Sequence, residues 1–337
     1  MKYYFVVNPA AGKGNRFEML IDSIRRVCDN YTLNGQEIDY EVYVTTDVGD
    51  AETYVSYCCK NAAMLPVRFY ACGGDGTLSE VVNGAVGYEN AEVGVIPAGT
   101  GNDFVRNFTN QKNFKNIEYQ LRGIPQKLDL IQYETNNGVR YSVNMINVGF
   151  DGDVAAKVAQ IKRNPLIRDG FAYITGIGIV LLSKLGVKMN LTLDGMAMPA
   201  REMLQLAVGN GRFYGGGFKA APKASLDDGM IDLCMVDCIS RATFLRLVRS
   251  FKNGEHLENP HTKRIVTYKQ CREIEIAFDG ERDICIDGEI ERAEWIRLSS
   301  MPYVLNFLVP YDSQCTGLRH AQMPHTSEIV APVGTNV

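Results

Sequence analysis

The sequence predicts an α/β + β protein, in which a Rossmann-like parallel α/β domain precedes an antiparallel β-sandwich domain. Strand and helix patterns alternate through about residue 125, as they do in a parallel sheet with helices on its faces. Short alternating apolar runs replace this pattern from residue 126 to 310, which indicates an antiparallel sheet. The chain of 337 residues is also longer than one hydrophobic core usually supports.

The first domain, residues 1–125, contains four strand–helix units. Its apolar strands are predicted at residues 3–7, 40–44, 69–71 and 93–96. After each strand, apolar residues recur at intervals of three and four, as on the buried face of a helix. Because parallel strands end at one edge of a sheet, the loops that follow them are expected to meet there, where such sheets bind ligands.

The second domain, residues 126–310, is read as a sandwich with a few inserted helices. Its strands are predicted at 128–131, 141–145, 205–208, 231–236, 273–276 and 283–286. One helix is indicated by the spacing of Phe244, Leu245, Val248 and Phe251. Residues 316–337 are polar and contain proline, so they are expected to form a loose tail.

The most apolar window of the chain covers residues 171–187. It is shorter than the ~20 residues that a membrane-spanning helix needs, so a buried or half-buried helix is expected. The alternative is a membrane-facing surface, because Lys162, Arg163 and Arg168 precede the window.

Three of the predicted strands are followed by loops rich in glycine: NPAAGKG at 8–14, GGDGTLSE at 73–80 and PAGTGND at 97–103. In the second loop, glycines would let an anion approach the backbone closely. Thr77 and Glu80 match a capping box, which predicts a helix start whose free N–H groups suit phosphate. A tight turn without a ligand explains one such loop equally well, but three at one sheet edge favour a ligand site.

The second loop lacks the lysine of a P-loop and contains Asp75 instead. This carboxylate would repel phosphate unless a metal ion or a proton lay between them. Asp75 is therefore predicted to hold a metal–water arrangement or to orient an attacking hydroxyl. Lys13 in the first loop either supplies a cation or is an ordinary solvated lysine.

Composition excludes several classes of protein. A net charge of −4 and a pI near 5.7 argue against a nucleic-acid binder. The nine cysteines form no CxxC pair and the N-terminal MKYYFVVNP has no signal-peptide core, so a cytoplasmic location is expected. His256 and His261 have no accompanying ligand or nucleophile and are predicted to lie at the surface. The sequence contains no GxSxG, HExxH or GxxxxGK[ST] motif.

Taken together, GGDGT, PAGTGNDF and the early NPAAGKG resemble the diacylglycerol kinase catalytic-domain family. That family includes soluble bacterial lipid kinases and, more distantly, sphingosine and ceramide kinases. Later segments are also similar to its motifs: NVGFDGDV at 147–154, VGNGRFYGGGFKAAPKASLDDGMIDL at 208–233 and IDGE at 286–289. The resemblance covers roughly residues 1–310. Each motif alone would be weak, since an Asp-Gly pair such as Asp287-Gly288 is most often a hairpin turn.

The resemblance implies an ATP site at the edge of the first domain, facing the second. The residues that it assigns to ATP are Asn8, Pro9, Ala10, Ala11, Gly12, Thr45, Gly73, Gly74, Asp75, Gly76, Thr77, Leu78, Ser79 and Thr100. It makes Asp287 and Glu289 the candidate general base and its partner, with Asp75 positioning Mg²⁺ or the hydroxyl. A structural Mg²⁺ near the DG motif maps onto Asp228 and the carbonyls of Ser225 and Met230. Whether Asp227 ligates in place of Asp228 stays open.

The implied activity is an ATP- and Mg²⁺-dependent lipid kinase, with diacylglycerol as the expected acceptor and phosphatidic acid as the product. An NAD kinase shares GGDGT and the two-domain plan, and a catalytically silent nucleotide or lipid sensor is a second alternative. The expected partner is a lipid presented by a membrane surface, with transient peripheral contact around residues 162–187. No nucleic acid and no stable protein partner is expected, and a homodimer is left open.

Overall fold

A computed structural model describes residues 1–12, 16–33, 35–150, 153–154, 157 and 186–316. The α-helices described over their full range are α1 (Arg16–Asn30), α2 (Asp50–Asn61), α3 (Asp75–Ala85), α4 (Ile117–Leu121) and α5 (Arg241–Asn253). The first eight described strands are β1 (Lys2–Val7), β2 (Thr32–Leu33), β3 (Gln36–Glu37), β4 (Tyr40–Val44), β5 (Val67–Gly73), β6 (Ala91–Pro97), β7 (Ile124–Thr135) and β8 (Gly138–Ser142). The next eight are β9 (Met145–Gly149), β10 (Val187–Leu193), β11 (Met196–Ala197), β12 (Arg201–Gly209), β13 (Ile231–Asp237), β14 (Val266–Cys271), β15 (Glu273–Ile286) and β16 (Glu289–Val309).

Four strands of the first domain pair in parallel, in the order β4, β1, β5, β6. Successive side chains of a strand point to opposite faces of the sheet. Tyr4 and Val6 of β1 therefore join the core that includes residues of α2 and α3. Tyr3 and Phe5 join the core that includes residues of α1 and α4. Helices thus cover both faces of the parallel strands, and the predicted mixed α/β character of this part is confirmed.

The β-rich second part is also confirmed, and its strands are antiparallel. Strand β9 pairs with β12 and β15, and β10 pairs with the same two strands, so these four form a closed cycle. The side chains that they enclose include Ile146, Leu206 and Ile284, all fully buried. The strands therefore wrap around this core rather than lying in an open sheet.

One long strand joins the two parts. Strand β16 begins beside β15 in the second part, pairs with β7 from Arg297 to its end, and ends beside β6, where Phe307 is the partner of Val93. Phe307 is fully buried and packs on Phe104 and Phe108 of the first part. The boundary predicted after residue 125 falls inside β7, so a strand crosses it rather than a linker.

The predicted helix around Phe244 is confirmed as α5, which begins after the N-cap Ser240 and ends at Asn253, before the C-cap Gly254. The Ser240 side chain accepts a hydrogen bond from the Thr243 N–H at 3.2 Å. Gly254 adopts φ 75°, the left-handed conformation that commonly ends a helix. Phe244 and Phe251 of α5 pack against the outer face of β12 and β13.

The prediction that His256 lies at the surface is wrong, because its ring is fully buried. The turn at Gly254 reverses the chain, so the imidazole stacks on Phe251 with ring centroids 4.4 Å apart. Its Nε2 lies 3.1 Å from the carbonyl oxygen of Ala220. Burial lowers the pKa of His256 to about 4. His261 is exposed, as predicted.

Two predicted segments lie largely outside the described residues. They are the apolar window 171–187 with its preceding basic residues, and the tail after residue 316. At the end of the window, Val187 begins strand β10 rather than ending a helix. Among the described residues, no helix combines the length and the apolar character needed to cross a membrane. All nine cysteines are described and carry free thiols.

Candidate active site

The loops after β1, β4, β5 and β6 lie together at one edge of the parallel strands. The Asn8 side chain donates a hydrogen bond to Thr77 Oγ1 at 3.0 Å, which joins the first loop to α3. The Asn8 N–H donates to the carbonyl of Cys72 at the end of β5. Beside them, the Thr45 N–H donates to the carbonyl of Val7. Parallel pairing therefore brings the predicted ATP-binding loops to one place.

Glycine is required here first by close backbone packing. A Cβ on Gly99 would lie 2.5 Å from the Cα of Gly74, so the loops after β5 and β6 touch backbone to backbone. A Cβ on Gly73 would lie 2.2 Å from Thr77 Oγ1, inside the turn that opens α3. Gly12 has φ 91° and its missing Cβ faces the carbonyl of Ala98 at 3.3 Å. These glycines bring backbone from three loops close together, as a phosphate site requires.

Helix α3 begins at Asp75, three residues before the start that the capping box predicted. Gly74 is the N-cap and makes no side-chain cap, and Glu80 turns away to accept a hydrogen bond from the Ala51 N–H at 3.2 Å. The capping box is therefore absent, because Glu80 binds α2 instead. The N–H groups of the first turn have no acceptor within the helix, and they carry its partial positive charge.

Asp75 lies half-buried in this first turn. One of its carboxylate oxygens accepts a hydrogen bond from the Phe104 N–H at 3.2 Å, which ties it to the loop after β6. A Cβ on Gly101 would lie 3.0 Å from the other oxygen. Burial, and then the nearby carboxylate of Asp103, raise the pKa of Asp75 to about 6, and Asp287 acts in the same direction. A carboxyl group with such a pKa can exchange a proton near neutral pH.

Asp287 and Gly288 form the two-residue hairpin between β15 and β16, with φ 48° and 94°. Positive φ at both positions is the pattern of a type I′ turn. The interpretation of this Asp-Gly pair as a hairpin turn is therefore confirmed. The Asp287 side chain points inward and is buried. The hairpin thus carries a carboxylate into the protein rather than to the solvent.

Four donors surround the Asp287 carboxylate. Oδ1 accepts hydrogen bonds from Ser142 Oγ at 3.0 Å, the Asn144 N–H at 3.0 Å and the Met145 N–H at 2.9 Å. Oδ2 accepts one from the Val143 N–H at 2.8 Å. Burial raises the pKa of Asp287, and these donors oppose the shift. The geometry is that of a carboxylate that holds the chain between β8 and β9 in position.

Glu289 of the second domain lies beside the first turn of α3. Its Oε1 lies 2.5 Å from the position that a Cβ on Gly76 would occupy. The residue is exposed, so its carboxylate is open to the solvent beside this turn. The absence of a side chain at Gly76 therefore makes room for a carboxylate from the second domain. Of the three predicted catalytic residues, Glu289 is exposed, Asp75 is half-buried and Asp287 is buried.

The remaining predicted ATP residues differ in what their side chains do. Leu78 is buried in the core, so only its backbone is available to a ligand. Thr100 is exposed, and Ser79 is half-buried with its carbonyl bound to Asn83. Pro9 to Gly12 form the described part of the first loop, and Lys13 lies outside the described residues.

Sequence reasoning assigned no role to the side chains that join the two domains. Asp103 accepts hydrogen bonds from Arg106 Nε at 3.0 Å and from the Gly216 N–H at 2.8 Å. Asn107 Oδ1 accepts a hydrogen bond from the Arg212 N–H at 2.9 Å. Both residues lie in motifs that the sequence analysis identified, Asp103 in PAGTGNDF and Gly216 in the GGG run. Their contact became visible only in the folded chain.

The predicted metal ligands lie in one turn before β13. Asp228 Oδ1 accepts a hydrogen bond from the Met230 N–H at 3.1 Å, and Ser225 Oγ donates one to Asp227 at 2.7 Å. Buried Asp129 accepts a hydrogen bond from the Gly229 N–H at 2.7 Å. All these candidate ligands are oxygen atoms, which fits Mg²⁺. Among the described residues, however, no group of three or more His, Cys, Asp or Glu side chains has metal-binding geometry.

Comparison with known proteins matches both parts of the chain. The model of the diacylglycerol kinase catalytic domain matches residues 2–133, and that of the YegS C-terminal NAD kinase beta sandwich-like domain matches residues 144–309. A Xanthomonas oryzae protein named "Probable lipid kinase YegS-like" is 28% identical over 297 residues, which cover 85% of this chain and 92% of that protein. The protein named "Diacylglycerol kinase" in Bacillus subtilis is 28% identical over 288 residues, which cover 84% and 88%.

A solved structure shares the fold. The crystal structure of a diacylglycerol kinase from Bacillus anthracis str. Sterne matches 92% of this chain and 97% of its own, with a TM-score of 0.64 at 20% identity. The fold of this chain is therefore found in an experimental structure as well.

Proposed function

Because the chain belongs to the diacylglycerol kinase catalytic-domain family and is a lipid kinase, we propose that it transfers the γ-phosphate of ATP to diacylglycerol. The product would be phosphatidic acid. The observation that carries the proposal is the meeting of the α3 N-terminus in the first domain with the Glu289 carboxylate of the second. A phosphate at the helix start and a hydroxyl at the carboxylate would then be adjacent.

The triphosphate is proposed to lie along the edge formed by the loops after β1, β5 and β6. The first-turn N–H groups of α3 and the packed glycine backbones would donate hydrogen bonds to its oxygens. In a P-loop, a lysine contributes to the same stabilisation of phosphate. The bond from Asn8 to Thr77 fixes the spacing of two of these loops. Phosphoryl transfer depends mainly on such positioning and on neutralisation of charge.

Glu289 is proposed as the general base. In the reaction the acceptor hydroxyl oxygen bonds to the γ-phosphorus, the bond from that phosphorus to the β–γ bridging oxygen breaks, and ADP leaves. The hydroxyl proton passes to the Glu289 carboxylate, which is exposed and therefore accessible to an acceptor. General base catalysis of this kind contributes about 10²–10⁴-fold to the rate. Asp287 is proposed as a positioning residue, because its oxygens accept four internal hydrogen bonds.

Mg²⁺ is proposed at two places. With ATP, it would neutralise phosphate charge, and Asp75 is the residue placed to hold it through water or to orient the hydroxyl. In the turn before β13, the Asp228 carboxylate and the carbonyls of Ser225 and Met230 would hold a structural ion. A lipid acceptor also implies transient contact of a cytoplasmic protein with a membrane surface.

The direct test is incubation of the full chain with labelled ATP, Mg²⁺ and a panel of acceptors. The panel contains diacylglycerol, a sphingoid base, ceramide, a polyprenol and NAD. Label in phosphatidic acid is the expected result, and label in another lipid would correct the acceptor. Label in NAD alone would replace lipid phosphorylation with NAD phosphorylation. Binding of ATP with no labelled product would indicate a sensor.

A further inference from the structure

Helix α5 presents a basic face with an apolar centre to the solvent. Arg241, Leu245, Arg249 and Lys252 recur at intervals of four, four and three residues, so they lie on one side of the helix. All four are exposed, and Leu245 retains 62% of its accessible surface. Arg246 is exposed at the border of the same side. This side of α5 therefore combines one exposed apolar side chain with four exposed basic ones.

The charge of this face is not balanced by the helix itself. The sequence of α5 contains four basic residues and no acidic residue, although the whole chain has a net charge of −4. Within the part of the chain that the structure describes, neither Arg246 nor Arg249 forms an ion pair. The Nζ of Lys252 lies 5.9 Å from the centre of the Phe218 ring. The face therefore complements an anionic surface.

An apolar cavity of about 190 Å³ lies beneath α5. Its walls are Phe244, Val248 and Phe251 of the helix together with Leu204 and Val236 of the strands. Leu245 also lines the cavity while it is largely exposed, so the cavity reaches the surface at the centre of the basic face.

One turn that lines the same cavity also contacts the active-site loops. Tyr214 and Phe218 line the cavity, and their backbones pair with each other across the intervening glycines. Within that turn, the Gly216 N–H donates a hydrogen bond to Asp103 at 2.8 Å. The turn that contributes Tyr214 and Phe218 to the cavity wall is therefore also bonded to the loop after β6.

We propose that the exposed side of α5 docks on an anionic lipid bilayer, with Leu245 inserted between headgroups and Arg246, Arg249 and Lys252 on the lipid phosphates. The inference rests on the proposed function, and it identifies the surface through which a bilayer-resident acceptor would reach the enzyme. Helices that lie in the membrane interface without spanning the bilayer typically combine exposed apolar side chains, which enter the headgroup region, with a basic face that binds lipid phosphates.

The test is flotation of the full chain with vesicles of neutral phosphatidylcholine, with and without phosphatidylglycerol. Each basic residue near an anionic membrane surface contributes about fivefold to binding, so R246Q/R249Q should weaken binding to the anionic vesicles about 30-fold. The matched control is R25Q/R26Q, which removes two exposed charges from α1 and should bind as the unmodified chain does. L245S, which keeps the charge, should weaken binding to the same vesicles.

Equal binding by R246Q/R249Q and R25Q/R26Q would overturn the docking surface, as would equal binding to neutral and anionic vesicles. Thermal unfolding of each variant checks that it is folded, and binding by R246K/R249K should be retained. Phosphorylation of a short-chain diacylglycerol dispersed in detergent separates the two proposals. The α5 variants should keep that activity and lose activity on vesicles, whereas absence of activity in the unmodified chain would refute diacylglycerol as the acceptor.

Discussion

Replacing Asp287 with asparagine tests whether this residue positions the backbone between β8 and β9 or accepts the proton of the acceptor hydroxyl. The amide offers one acceptor oxygen and one NH₂ donor to the four donors around the carboxylate. If its oxygen replaces Oδ1, its NH₂ faces the Val143 N–H, which donates at 2.8 Å in the unmodified chain. A buried N–H without an acceptor costs about 1–3 kcal/mol.

The other three hydrogen bonds weaken as well. Those from Ser142, Asn144 and Met145 change from charge-assisted to neutral bonds, a loss of about 1 kcal/mol each. Removal of a buried charge offsets part of this sum, because burial raises the pKa of Asp287 and so disfavours its charged form. We therefore expect a net loss of about 2 kcal/mol in the free energy of unfolding, or about 4–8 °C in Tm.

Urea unfolding followed by fluorescence measures this loss, because Trp295 is the single tryptophan and lies in β16, the strand that follows the hairpin. Asp283→Asn is the matched control. Asp283 lies in the same hairpin but makes a surface ion pair with Arg292 at 3.0 Å, so it should cost less than about 1 kcal/mol.

Glu289→Gln provides the complementary result. It should leave the unfolding curve unchanged and lower kcat by about 10²–10⁴-fold, with the KM for ATP retained. The assignment would be refuted if Asp287→Asn unfolded like the unmodified chain while losing turnover by that factor. Asp287 would then act on the acceptor hydroxyl.

Three further predictions concern neighbouring groups. Because the folded pKa of Asp75 is raised from 3.8 to about 6, its stabilising contribution is complete below pH 3.8 and is lost as pH rises through 6. Asp75→Asn should therefore stabilise the protein by up to about 3 kcal/mol at pH 8 and by about half of that at pH 5, as urea unfolding at both pH values would measure, while it abolishes turnover. Asn8→Ala removes the bond to Thr77 and should raise the KM for ATP about tenfold, with Tm little changed, in steady-state kinetics. Mg²⁺ should raise the Tm of the unmodified chain but not that of Asp228→Ala, and an equal rise in both would remove Asp228 from the metal site.

Much of the first domain could be predicted because its signals are local. The strand of residues 69–71 lies within β5, and the helix spacing from Phe17 to Cys28 lies within α1. Parallel strands end at one edge, so the meeting of the three glycine-rich loops followed from their order in the chain. The start of α3 was misplaced because Glu80 had a stronger partner in the Ala51 N–H of α2, which lies 29 residues away in sequence.

The sequence by itself determined which residue types could bind a nucleotide and in which loops they stand, because glycine, strand and helix patterns act over a few neighbouring residues. Only the tertiary structure decided what each carboxylate can do. Asp287 and Glu289 are two positions apart, yet one is enclosed by four donors and the other is exposed beside Gly76. That difference depends on the path of β16 between the two parts. The residues that bury Asp287 are distant from it in the sequence, so the residues around Asp287 give no sign that it is buried.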